Sequence, residues 1–163
     1  LEGALVLLVR FAGQEAAMLE KVQQLLGPEG LADYQEYTRR LASNVSAEQI
    51  KGMLSGDSPE QEAKARQLYE LMLQVTQDTL ANAGLPADYQ TIPILNFRNI
   101  ASETEAEKSL QLMDGVYATV MARSGTFLSP EDIGKLGEFR EKAITSQRAA
   151  LTMNRKMMSP GGK

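Results

Sequence analysis

The dipeptide Gly27-Pro28, inside the stretch LLGPEGLADYQEYTRRL (25–41), constrains this chain more than any other feature. Glycine can take φ > 0 without a Cβ clash and so ends a helix. Proline suits the first turn of the next one, where its missing N–H would have had no partner. Glu29 and Asp33 then set negative charge near the positive end of the new helix, and Leu31, Tyr34, Tyr37, Thr38 and Leu41 return at helical spacing. Two helices therefore meet with almost no linker, which makes them neighbours and sets the packing of the N-terminal half.

Before the junction, Leu5, Leu8, Ala12, Leu19, Val22 and Leu26 recur at helical intervals, with Glu15 the exception, so the spacing predicts one long amphipathic helix over 4–26. Its apolar start is shorter than the roughly 20 residues a bilayer span needs. Glu2, with no basic stretch before it, argues against a signal peptide. This segment reads as buried or dimer-facing. After the junction, a helix over 28–42 is predicted to break at Ser43-Asn44.

Three later starts use one device. Ser46-Ala-Glu-Gln49, Ser58-Pro-Glu-Gln61 and Ser129-Pro-Glu-Asp132 each place a hydroxyl where it can accept from a free first-turn N–H, with an acceptor three residues on. The first opens a short helix to about Leu54. The second opens the clearest stripe in the chain, Ala65, Leu68, Leu71, Met72, Val75 and Leu80, which ends at Gly84 before Pro86. At the third, Leu128 and Ile133 are placed to staple the start of a last helix, 130–158. Between them, Ser102 with Glu105 caps a helix that runs to Ser124-Gly125. Residues 85–101 break helical rhythm, yet Ile92, Ile94, Leu95, Phe97 and Ile100 are too apolar for a free loop. An extended strap across the helices is expected, with a short strand as the lesser alternative. The expected fold is therefore a single all-α domain over 1–158, a bundle of five or six helices with one irregular apolar strap, followed by a flexible tail at 159–163.

The side chains available for chemistry are few. The chain has no Cys and no His, which removes disulfides, thiolate nucleophiles, imidazole bases and the commonest zinc and iron ligands together. No metal or cofactor is expected. Paired carboxylates could still do acid–base work, and Glu62, Glu70, Asp78 or the cluster at 103, 105 and 107 are the candidates. The blander reading of these groups is solvated helix faces.

Charge is unevenly spread. Residues 1–134 carry 10 basic and 19 acidic side chains, a balance of −9, whereas 135–163 carry 7 and 2, a balance of +5. The last helix is thus a basic arm on an acidic body, set either to dock on that body or to meet a separate acidic partner or membrane surface. Nucleic acid is not expected, because an acidic body stands behind the arm. Met153, Met157 and Met158 lie beside Arg155 and Lys156 at its tip, and such faces adapt to varied apolar partners. The candidate partner-binding residues are Arg148, Leu151, Arg155, Lys156, Met157 and Met158 on this helix, with Leu5 and Leu8 on the first.

The segments VSAEQ (45–49), DSPEQ (57–61) and LSPED (128–132) resemble degenerate copies of the LTxxQ motif of Spy-type periplasmic helical proteins. More loosely, LLGPEGLADYQEY with the later FLSPED is similar to bacterial helical proteins with no assigned activity. The resemblance implies a non-enzymatic, dimeric envelope protein that holds apolar clients or senses stress. It favours the periplasm over the cytoplasm, a location that composition leaves open. The function expected is a non-catalytic protein-interaction or chaperone-type module, with a protein partner or a second copy as its target. The alternative is a carboxylate-dependent enzyme acting on a small or glycan ligand.

Overall fold

The computed structural model describes the backbone of residues 2–158, and the side chains of 13, 14 and 16 onward within that range. The tail expected at 159–163 lies outside the described residues. Five helices follow one another: α1 (Glu2–Lys51), α2 (Ser58–Asn82), α3 (Arg98–Ala101), α4 (Glu103–Arg123) and α5 (Pro130–Met158), and no strand occurs among the described residues. The fold is an all-α bundle, as the periodicity requires.

The junction is where the sequence puts it. Gly27, at φ 72° and ψ 179°, interrupts α1 ahead of Pro28, in a backbone region essentially closed to other residues. No described residue between 13 and 26 is buried, so this stretch of α1 contributes no fully buried side chain to the core.

Beyond the junction, the break expected at Ser43-Asn44 and the separate helix expected from Ser46 are not there, for α1 continues to Lys51. Ser43, Ala47, Ile50 and Leu54 form one buried stripe. Packing that stripe outweighs the few tenths of a kcal/mol per residue by which Ser and Asn disfavour a helix interior. Ser46 spends its hydroxyl on the Tyr117 hydroxyl, 2.8 Å away, instead of capping. The cap of α2 is likewise displaced by one residue: the Asp57 carboxylate, not the Ser58 hydroxyl, accepts from the Glu60 N–H at 3.0 Å. Ser102 and Ser129 do cap as expected, accepting from the N–H groups of Glu105 at 3.3 Å and Asp132 at 3.1 Å.

The core gathers Ile50 and Leu54 from α1, Leu68, Met72 and Val75 from α2, Val116, Tyr117 and Val120 from α4, and Leu128 and Leu136 around the start of α5, with Ile133 packed against it. A smaller cluster joins Ala106 and Leu110 of α4 to Leu151 of α5, under Ile94. The strap is less extended than expected, with a 3₁₀ turn at Pro93–Leu95 followed by the single turn of α3. Its burial is also inverted: Asn96 and Asn99 are buried, whereas Leu95 and Phe97 are about half exposed. The asparagines point inward because they do backbone work there. Asn99 Nδ2 donates to the Pro93 carbonyl at 2.8 Å, and the Asn96 side chain accepts from the Arg98 N–H at 3.2 Å. The strap is fastened by the Ile94 N–H, which donates to Gln147 of α5 at 2.9 Å.

The α1–α2 loop turns at Gly56, whose φ is +105° and where an added Cβ would lie 2.9 Å from the Glu60 Cβ. Gly56→Ala is therefore expected to destabilise the chain by about 1–3 kcal/mol, which lowers a thermal midpoint by about 2–10 °C at this size. Gly52→Ala, with open space and negative φ, leaves the midpoint unchanged or slightly higher. Equal midpoints for the two variants in a calorimetric scan would refute the requirement for glycine at 56.

Candidate functional site

Basic residues on α5 face acidic residues on α4 along an antiparallel seam. Arg140 grips Asp114 with two bonds, at 2.6 and 2.8 Å. Two turns on, Arg148 reaches Glu107, and Arg155 stands 3.8 Å from Glu103. Spacings of seven and eight residues on α5 keep the three guanidiniums on one face of the helix. Hydrogen bonding to Arg140 holds the Asp114 carboxyl below the usual carboxylate range, and Arg148 does the same for Glu107. The basic arm therefore docks on its own acidic body.

The candidate partner residues separate accordingly. Leu151 is fully buried, so it belongs to the chain's own core and not to an outward face. Arg148 and Arg155 are engaged with α4, though Arg148 stays half exposed. Lys156, Met157 and Met158 point outward, and Met153 with them. Arg148, Met153 and Lys156 border a shallow groove of about 520 Å³ on the outer side of α5. Leu5 and Leu8 fall in the part of α1 whose side chains lie outside the described residues. Tyr34 is half buried, whereas Tyr37 of the same helical stripe is exposed on this chain.

The carboxylates considered for acid–base work are dispersed. Glu62 pairs with Lys51 at 3.0 Å, Asp78 lies 3.9 Å from Arg123, Glu105 pairs with Lys108, and Glu70 is exposed on α2. Among the described residues no three metal-ligating side chains come together, and no helix is long and apolar enough to cross a membrane. A cavity of about 40 Å³ lies between α1, α2, α4 and the strap, where Ser43, Ser46, Thr76, Thr91 and Tyr117 contribute to an otherwise apolar wall. That is room for about three water molecules. Burial pushes the Tyr117 hydroxyl up from its ordinary pKa, against the opposing effect of its bond with Ser46.

A convergent polar cluster built on a fully buried group lies elsewhere, and sequence reasoning missed it. Asp132 is fully buried. Its carboxylate accepts from the Ser55 N–H at 2.7 Å, the Ser55 hydroxyl at 2.9 Å and Lys64 at 2.8 Å. Lys64 also donates to the Ser55 carbonyl and hydroxyl. The only signal was the acidic last residue of SPED, three after the serine, which the capping-box pattern had already assigned to another purpose. Burial pushes the Asp132 carboxyl up, but Lys64 and the two Ser55 donors outweigh it and hold the group far below the usual range. With its proton directed to Asp132 and a charged Lys64 beside it, the Ser55 hydroxyl is braced and not activated as a nucleophile would need to be. Comparison of the chain with family models, characterised proteins and solved structures gave no match.

Because its folded pKa is depressed, Asp132 contributes stability that is complete above the unfolded carboxylate value of about 4 and is lost as the pH falls below it. Asp132→Asn is expected to cost about 3–5 kcal/mol near neutrality. The deficit relative to wild type should be constant from about pH 5 to 8 and should shrink below about pH 4. Urea unfolding of both proteins across that range measures it, and a deficit that does not change with pH would contradict the assignment.

Proposed function

We propose that this chain is a non-catalytic helical interaction protein of the chaperone or stress-response type, which holds apolar segments of other proteins at the outer end of α5. The observation that carries this reading is the exposure of Met153, Met157 and Met158, at 58%, 70% and 51%, over the last turns of one helix. Methionine is flexible and polarizable, so a face built from it adapts to many apolar shapes. Clustered exposed apolar side chains on a folded chain mark interaction sites. Lys156 beside them adds positive charge, which suits apolar client segments flanked by acidic residues. The likeness of the three serine-headed segments to the LTxxQ motif suggests the same class of activity.

The test is the aggregation of a client. Full-length chain added to reduced insulin is expected to suppress light scattering at near-stoichiometric ratios. The triple variant Met153→Ser, Met157→Ser, Met158→Ser should lose most of that suppression while keeping its melting temperature, since none of the three is buried. No suppression at any ratio would refute the reading.

A further inference from the structure

We infer that the part of α1 before Gly27 is a self-association arm that pairs with the same helix of a second copy of this chain. The inference stands on α1, apart from the client-binding reading of α5. In the sequence, positions 5, 8, 12, 15, 19, 22 and 26 alternate by three and four residues without a slip, and all but Glu15 are Leu, Val or Ala. This is the heptad interval that keeps one stripe against a partner helix over successive turns. Among the described residues the stripe finds no cover on its own chain: Leu25 and Leu26 are 83% and 58% exposed, Met18 is 49% exposed, and Leu19 and Val22 are not buried.

Charge placement selects a second copy as the occupant. The positions flanking the stripe hold Ala16, Gln23, Met18 and Leu25, whereas Arg10, Glu20 and Lys21 fall on the far side. Apart from Glu15, two identical arms thus meet without like-charge repulsion, and from residue 16 to 25 the arm lacks the flanking charges by which a coiled coil selects a foreign helix. At roughly 100 Å² for each of the five exposed or half-exposed side chains from Met18 to Leu26, a pair of arms buries about 1,000 Å². That reaches the size a specific interface needs. Glu15, the one charge at a seam position, costs stability and fixes register in such a pairing.

Sedimentation equilibrium of the full chain over a wide dilution series tests the arm. The wild type is expected to be a dimer that dissociates on dilution. Leu19→Glu with Leu26→Glu should weaken it by more than about a hundredfold, with the thermal midpoint of the body unchanged because neither side chain is buried on its own chain. Glu15→Leu should tighten it about tenfold. A wild type that is monomeric throughout would overturn the inference, as would a dimer indifferent to Leu19→Glu and Leu26→Glu. A monomer that still suppresses insulin aggregation would sink the arm and spare the client reading. An arm-dependent dimer with no effect on aggregation would support the arm and sink the client reading.

Discussion

The buried carboxylate of Asp132 is the interaction on which the rest of the bundle depends. Apolar burial is non-directional, and a core of Leu, Ile, Val and Met tolerates sliding between helices. A buried charge does not. Left unpaired it costs several kcal/mol, so the structure is held to the one arrangement in which Ser55 and Lys64 both reach it. Asp132 opens α5, while Ser55 and Lys64 belong to the α1–α2 loop and to α2. Leu54 precedes Ser55, and Leu128 and Leu136 flank Asp132, so the polar clamp and the main core meet at the same place. The clamp sets how the α1–α2 pair sits against the α4–α5 pair, and the core fills in around it.

What was legible in the sequence were features decided by a few neighbouring residues. The turn at Gly27-Pro28, the caps at Ser102 and Ser129, and the span of α5 all depend on local backbone chemistry, and all are found where the residues place them. What was not legible depended on distant partners. Ser46 begins a good capping box, yet Tyr117, 71 residues away, takes its hydroxyl, and burial of Ile50 keeps the helix going. The strap fails the same way: hydrophobicity alone turns Leu95 and Phe97 inward, but Asn99 goes in and adds a second donor to the Pro93 carbonyl, which already accepts from the Asn96 N–H. Asp132 was hidden because its third-position acid looked locally satisfied.

The charge asymmetry resolves in a similar fashion. A balance of +5 at the C-terminus and −9 before it reads as a surface feature, but Arg140, Arg148 and Arg155 turn it into a seam with Asp114, Glu107 and Glu103. These pairs lie at least partly in solvent, where each contributes little. Their value is in orientation: a ladder of opposite charges is satisfied in only one register of α5 on α4, so it reinforces the placement that Leu151 and Leu110 favour by packing.

This division of labour bears on where the chain can meet other molecules. Along the middle of the bundle, apolar faces are buried and long cations are directed at their own acids. Of the large apolar residues left outward, Met18, Leu25 and Leu26 lie on α1 ahead of Gly27 and Met153, Met157 and Met158 on the last turns of α5, while Tyr37, Val45, Leu95 and Phe97 are scattered between. The two sets differ in kind. Leucines and a valine at a fixed interval favour a single, repeatable neighbour, whereas flexible methionines beside a lysine favour many. The Asp132 clamp sits away from both, where the α1–α2 loop meets the start of α5, so neither exposed set takes part in fixing the fold.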